Sequence, residues 1–130
     1  MVLDTSVLLA LLFVEESSPR LLHALDAAEV RLVSAATVVE AALVVLGRFG
    51  EAGNQRLDRL LHELAVTVVP VDERHLIFAR DAATRFGKGR HAAALNYGDC
   101  FSYACAVAEQ LPLLFVGRDF SQTDIDVVDW

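Results

Sequence analysis

The chain has 130 residues, a formal net charge of −7 and a hydrophobic fraction of 55 %. This length suits one domain with a buried core, so we expect a single domain over residues 1–130. No apolar stretch reaches the length of a membrane span and no secretory signal opens the chain, so we expect a cytoplasmic protein. The acidic balance argues against a protein that binds nucleic acid through bulk positive charge.

Short apolar runs alternate with helical patterns, which is typical of an α/β domain with a central, mostly parallel sheet flanked by helices. In chain order we expect a strand at Met1–Leu3, helices at Ser6–Val14 and from Ser18 to about Glu29, a strand at Arg31–Ser34, helices from about Ala36 to Phe49 and from Gly53 to about Leu64, and a strand at Val66–Val69. Next we expect a helix capped by Asp72 and reaching about Phe86, a loop over Gly87–Gly98 and a helix from Asp99 to about Gln110. We then expect a strand at Leu113–Val116, a turn over Gly117–Asp124 and a last short strand at Val127–Val128.

Local signals set several of these boundaries. Ser18 followed by Pro19 is a strong helix start, since serine caps and proline suits the first helical position. Leu21, Leu22 and Leu25 are then expected on one face of the helix.

The two cysteines, Cys100 and Cys105, are five positions apart on a predicted helix and point about 140° away from each other. A disulfide between them is therefore not expected, and reduced thiols fit a reducing compartment. No cysteine or histidine spacing suggests zinc.

Four acidic residues occupy positions that stability alone does not favour. Asp4 follows an apolar strand, Glu40 lies inside the most apolar helix, Asp99 begins a helix of mostly uncharged residues, and Asp119 follows the strand at Leu113–Val116. In a parallel α/β sheet, ligands bind beyond the carboxyl ends of the strands. All four acids can converge at that edge.

Clustered carboxylates are costly unless a cation neutralises them. Carboxylates and water suit Mg²⁺ or Mn²⁺, and such a site can polarise a phosphoryl oxygen and lower the pKa of a water, which phosphodiester hydrolysis needs.

Each acid also has a structural interpretation. Asp4 and Asp99 could cap helices, Asp119 could be a turn residue, and Glu40 could form an ion pair with Arg31 or Arg48. These alternatives stay open at the level of sequence.

Four motifs, in order and at suitable spacing, resemble those of PIN-domain ribonucleases. Asp4-Thr5-Ser6 resembles the D-T-S motif, and Glu40 resembles the family's second acid. Asn96–Tyr103 resembles the third motif, and Leu114–Phe120 followed by Thr123–Ile125 resembles the strand and turn with the fourth acid. The resemblance covers essentially the whole chain and is closest to the VapC toxins of type II toxin–antitoxin pairs.

The resemblance implies an endoribonuclease that uses Mg²⁺ or Mn²⁺. Asp4 and Asp99 would be the principal metal ligands, and Glu40 and Asp119 would complete the acidic cluster directly or through water. Asp124 would be a possible outer member. Thr5 or Ser6 would orient Asp4 or touch phosphate, and Arg118 could pair with substrate or with Asp119.

The family's toxins form dimers and are neutralised by an antitoxin, so the resemblance implies a homodimer and a cognate antitoxin. An apolar groove lined by the first two helices is our candidate antitoxin site, although about half of its residues could instead fill the core. These residues are Leu8, Leu9, Leu11, Leu12 and Phe13.

One local basic segment contains Arg85, Lys88, Arg90 and His91. Backbone binding of RNA needs positive charge, so Arg85, Lys88 and Arg90 are candidate phosphate contacts. A solvated loop is the alternative.

Three other functions compete with the toxin. A PIN nuclease of RNA maturation or quality control would have the same active site. A small α/β interaction module could use the acids to bind metal structurally. A flavodoxin-like receiver domain is a third, but Glu40 has no place in its acidic site.

Overall fold

Four short parallel strands form the centre of the protein in the computed structural model, which describes residues 1–130. The strand order is β3-β2-β1-β4, which confirms the predicted parallel sheet. The strands are β1 (Val2–Leu3), β2 (Leu32–Ser34), β3 (Thr67–Val69) and β4 (Leu113–Leu114).

Six α-helices surround this sheet and supply its connections. They are α1 (Thr5–Leu12), α2 (Ser18–Asp26), α3 (Ala35–Phe49), α4 (Glu51–Glu63), α5 (Glu73–Phe86) and α6 (Tyr97–Glu109), and a short 3₁₀ helix follows at Asp119–Gln122. No helix combines the length and the apolar character that crossing a membrane requires.

Alternation along the strands divides the core into two clusters. Val2 and Leu113 pack with residues of α5 and α6, while Leu3 and Leu114 pack with residues of α1 to α4. Because neighbouring strand residues point to opposite faces, two-residue strands are enough to anchor both layers. Cys100 and Cys105 are buried and free, as expected.

The start of α2 differs from the sequence prediction. Ser17 is the residue before the helix, and Ser18 is buried with its Oγ donating to the carbonyl of Ala10 at 3.0 Å. Ser18 therefore ties α2 to α1 instead of capping α2. Leu22 is 40 % exposed, whereas Leu21 and Leu25 are fully buried, so the predicted apolar face is narrower.

The start of α4 also differs from the sequence prediction. The helix begins at Glu51, and Gly53 lies inside it. A Cβ on Gly53 would collide with the backbone carbonyl of Val45. This glycine allows α3 and α4 to pack closely and does not mark a helix start.

Near the C-terminus the sheet is shorter than predicted. The strand expected at Leu113–Val116 ends at Leu114, and the strand expected at Val127–Val128 is reduced to a single bridge between Leu113 and Val127. The chain beyond Leu114 is thus free to turn over the edge of the sheet.

Candidate active site

The structure brings the four predicted acids together at one edge of the sheet. Asp4 follows β1, Glu40 lies in the second turn of α3, Asp99 lies in the first turn of α6, and Asp119 begins the 3₁₀ helix. Asp4 and Asp99 are 5 % and 8 % exposed, Glu40 is half-buried and Asp119 is exposed. Burial raises the pKa of Asp99, and the negative charges of the three other carboxylates add to this.

Asp4 is held by the residues that follow it. Its Oδ2 accepts hydrogen bonds from the backbone N–H of Ser6 at 3.0 Å and from Ser6 Oγ at 2.6 Å. Ser6 Oγ in turn accepts from the N–H of Val116 at 2.9 Å. Asp4 is therefore the cap of α1, as the structural interpretation held, but the cap uses only one of its two oxygens.

The second oxygen of Asp4, Oδ1, is buried and has no hydrogen-bond partner. A buried acceptor without a partner is costly and is rare in folded proteins. A cation beside Oδ1 would remove that cost, so the donor set fits a divalent metal.

Asp99 does not open α6, contrary to the sequence prediction. The helix begins at Tyr97, and Asn96 is its cap. Asn96 Oδ1 accepts from the N–H of Asp99 at 2.9 Å, and Asp99 Oδ2 accepts from the N–H of Asn96 at 2.7 Å. This reciprocal capping box fixes the Asp99 carboxylate and leaves Oδ1 without a hydrogen bond.

Glu40 forms no ion pair, so the structural interpretation of this residue is wrong. Arg31 donates to the carbonyls of Leu25 and Leu64, and Arg48 lies over the ring of Phe13. Glu40 Oε2 instead accepts a hydrogen bond from Thr5 Oγ1.

Gly98 leaves room for the Glu40 carboxylate, because glycine has no side chain. A Cβ built on Gly98 would overlap both carboxylate oxygens of Glu40. Nearby, Thr37 Oγ1 and Ser102 Oγ form a buried hydrogen bond of 3.1 Å that ties α3 to α6. The sequence pattern did not indicate these contacts; its one available signal was a glycine in the first turn of a helix directly before an acid.

No three acidic, histidine or cysteine side chains meet closely enough to hold a cation by themselves. A cation here would therefore need water among its ligands. Mg²⁺ and Mn²⁺ accept such sites, because they are commonly bound through one or two carboxylates and several waters.

The affinity for Mn²⁺ should decrease as the pH falls below about 6. Burial raises the pKa of Asp99 to about 6, the N–H of Asn96 opposes this, and repulsion from Asp4, Asp119 and Glu40 adds to it. Below that pH a proton must leave before metal binds, so affinity should fall about tenfold per pH unit. Calorimetric Mn²⁺ titrations at several pH values would test this, and a constant affinity between pH 5 and 7 would contradict it.

The Asp99 carboxyl also makes the folding stability depend on pH, in the direction opposite to that of an acid in a salt bridge. The metal-free folded protein keeps the proton of Asp99 up to about pH 6, whereas the unfolded chain loses it near 3.8. The contribution of Asp99 to stability is therefore present at acidic pH and is lost as the pH rises through 6.

Asp124 and Arg85 are bound to each other rather than to the acidic cluster. Arg85 Nη2 donates to Asp124 Oδ2, and Tyr103 Oη donates to Asp124 Oδ1 at 2.7 Å. These bonds hold the pKa of Asp124 below its usual range. Arg118 forms no ion pair, although it precedes Asp119.

The rest of the basic segment is exposed. Lys88, Arg90 and His91 lie on a turn after α5 in which the N–H groups of Arg90 and His91 donate to the carbonyl of Gly87. Neither Lys88 nor Arg90 forms an ion pair, so both cations are available to a ligand.

The apolar residues of α1 divide between the core and the surface. Leu8 and Leu11 are buried, while Leu9, Leu12 and Phe13 are half-buried. Phe13 packs edge-on against Phe49 of α3 with the ring centroids 5.8 Å apart.

Comparison with known proteins identifies the family to which the chain belongs. The sequence matches the PIN domain family over residues 1–126. It is 49 % identical over 128 residues to "Ribonuclease VapC30" of Mycobacterium tuberculosis, covering 98 % of both chains. It is 48 % identical over 128 residues to "Ribonuclease VapC" of Mycolicibacterium smegmatis, covering 98 % of this chain and 99 % of that one.

Solved structures share the fold. Mycobacterium tuberculosis VapC20, described as a sarcin–ricin loop cleaving toxin, superposes with a TM-score of 0.78 at 16 % identity, over 98 % of this chain and 97 % of that one. A toxin–antitoxin complex from Klebsiella pneumoniae superposes with a TM-score of 0.73 at 19 % identity, over 99 % and 97 % of the two chains.

Proposed function

The chain belongs to the VapC ribonucleases of the PIN-domain family, and from this we propose that its four-acid cluster hydrolyses RNA with Mg²⁺ or Mn²⁺. The enzyme is an endoribonuclease and the toxin of a type II toxin–antitoxin pair. The family assignment sets aside the receiver-domain and interaction-module alternatives. We take residues 1–130 as one PIN domain.

The observation that carries the proposed site is the unpartnered, buried Oδ1 of Asp4 within a group of interacting carboxylates. Asp4 and Asp99 each keep one oxygen free of hydrogen bonds, so we assign both as direct ligands. Glu40 and Asp119 would act on the cation through water. When bound, Mg²⁺ or Mn²⁺ would polarise a phosphoryl oxygen and lower the pKa of a water.

The chain's own residues supply orientation and proton transfer. Thr5 holds Glu40 Oε2, so we assign Glu40 Oε1 as the acceptor of the proton that the attacking water loses. Ser6 fixes the rotamer of Asp4, and the capping box fixes Asp99. Lys88 and Arg90 would bind RNA phosphates beside the cluster.

Cleavage should depend on the divalent cation. We expect the purified protein to cut a labelled pool of structured RNAs with Mg²⁺ or Mn²⁺ and to be inactive in EDTA, with activity restored by excess Mn²⁺. The preparation must first be shown to be free of antitoxin by mass spectrometry. Equal cutting in EDTA would contradict the assigned metal site.

We further propose that the protein is a homodimer and binds a cognate antitoxin along α1. Leu9, Leu12 and Phe13 keep apolar surface available there, and an amphipathic partner helix suits such a surface. A light-scattering mass equal to one chain would contradict the dimer.

A further inference from the structure

A buried tyrosine, an arginine and an aspartate join α5, α6 and the segment that follows the 3₁₀ helix. Asp124 accepts from Tyr103 of α6 at 2.7 Å and from Arg85 of α5. Arg85 Nη1 also donates to Asp81 at 3.0 Å, and its guanidinium lies over the ring of Phe86. The side chain of Asp124 therefore has a strong partner on each oxygen.

The position of this network relates it to the active site. Tyr103 lies one helical turn after Asp99 on α6, and Asp124 lies five residues after Asp119. The segment between β4 and Asp126 makes no ladder hydrogen bonds with the sheet. Val116, whose N–H donates to Ser6 Oγ, and the buried ring of Phe120 anchor the first part of this segment. The bonds of Asp124 hold its far end.

We propose that Arg85, Tyr103 and Asp124 are positioning residues that hold the Asp119 turn against α6 and so set the distance between Asp119 and Asp99. The inference rests on the proposed metal site. Asp119 is exposed and its carboxylate has no hydrogen bond, so the place of this carboxylate depends on how the turn that carries it is held.

This role replaces the phosphate contact that the sequence suggested for Arg85. Two carboxylates, Asp81 and Asp124, already surround the guanidinium, so the group presents little net positive charge to RNA. Lys88 and Arg90 have no such partners. The basic segment thus has two functions: Arg85 belongs to the network, whereas Lys88 and Arg90 are the candidate RNA contacts.

The test uses Tyr103→Phe, which removes one hydroxyl and keeps the ring packed against Phe86, and Asp124→Asn, which changes an exposed side chain. We expect each variant to bind Mn²⁺ about tenfold more weakly, which is the lower end of the loss in affinity seen when a residue outside the direct ligands is changed. Calorimetry on the RNA-free protein measures this directly. Cleavage should recover when Mn²⁺ is raised.

Arg74→Gln is the matched control, because Arg74 is also an ion-paired arginine on α5 but bridges Asp72 and Glu109 instead. It should leave the Mn²⁺ affinity unchanged. The double variant Tyr103→Phe with Asp124→Asn should bind no more weakly than Asp124→Asn alone, since both act through one contact.

Arg85→Gln separates the two roles of the arginine. As a positioning residue it weakens Mn²⁺ binding and leaves the salt dependence of RNA binding unchanged, whereas Lys88→Gln with Arg90→Gln does the reverse. Wild-type Mn²⁺ affinity in Tyr103→Phe and Asp124→Asn would overturn the inference. Wild-type Mn²⁺ affinity in Asp4→Asn would instead overturn the metal site itself.

Discussion

Asp99→Asn should strongly reduce RNA cleavage and at the same time stabilise the metal-free protein. The introduced amide oxygen would still accept the N–H of Asn96, so the capping box survives, but the side chain would no longer offer a carboxylate oxygen. Loss of a metal ligand removes several kcal/mol of transition-state stabilisation, and we expect cleavage to fall by about 10³-fold.

The gain in stability comes from the same carboxylate. At pH 7.5 Asp99 is a buried charge repelled by Asp4, Asp119 and Glu40. Removing it should raise the Tm of the protein in EDTA by a few degrees. At pH 4 the wild-type carboxyl is already protonated in the folded state, so the difference in Tm should largely disappear.

Asp4→Asn and Asp58→Asn complete this experiment. Asp4→Asn should also inactivate the enzyme, because Oδ1 of Asp4 is the oxygen that lacks any partner in the protein. Asp58 is an exposed carboxylate on α4, and its replacement should change neither cleavage nor Tm. An active Asp99→Asn protein, or one less stable than the wild type in EDTA, would refute the assigned role of Asp99.

The sequence was sufficient to predict a parallel sheet, the order of the helices and the convergence of four acids at one edge of the sheet. Each acid stands out from its surroundings: Asp4 follows β1, Glu40 lies within α3, Asp99 precedes a run of mostly uncharged residues and Asp119 follows β4. The rule that parallel strands end at one edge then places them together. In the order β3-β2-β1-β4, β1 has a parallel neighbour on each side. Asp4, which follows β1, therefore lies in the middle of the edge at which the strands end.

Ser6 was expected as a partner of Asp4, but other contacts of the acidic cluster could not be predicted, because they join segments distant along the chain. Thr5 bonds to Glu40 across 35 positions, and Ser6 accepts from Val116 across 110. Asn96 is close in sequence to Asp99. Both residue types are common at helix starts, so the sequence does not show which of the two caps α6. The structure resolves this ambiguity in favour of Asn96.

Arg85 illustrates a different limit. A basic segment in an acidic nuclease suggests phosphate binding for every cation in it. The partners of Arg85 are Asp81, one helical turn before it, and Asp124, 39 positions after it. Lys88 and Arg90 form neither contact. The spacing of Asp81 and Arg85 can be read from the sequence, but the contact with Asp124 cannot.

Gly98→Ala should disable the enzyme while keeping its fold, because the added methyl group would occupy the space of the Glu40 carboxylate. The atoms it meets are the end of a flexible side chain, so Glu40 can swing away without moving the backbone. Alanine also favours a helix over glycine by up to about 1 kcal/mol. We expect an unchanged or higher Tm and cleavage reduced about 10²-fold, which is the usual effect of losing a general base.

Two further variants test whether the effect passes through Glu40. Gly47→Ala on α3 adds the same methyl group where nothing lies within 4 Å, and it should leave cleavage unchanged. Glu40→Gln should reduce cleavage by a similar factor, and combining it with Gly98→Ala should cost little more, because both changes remove the same carboxylate. If the two losses instead multiply, Gly98 contributes to catalysis in another way, and full activity in Gly98→Ala would show that Glu40 is not needed where the structure places it.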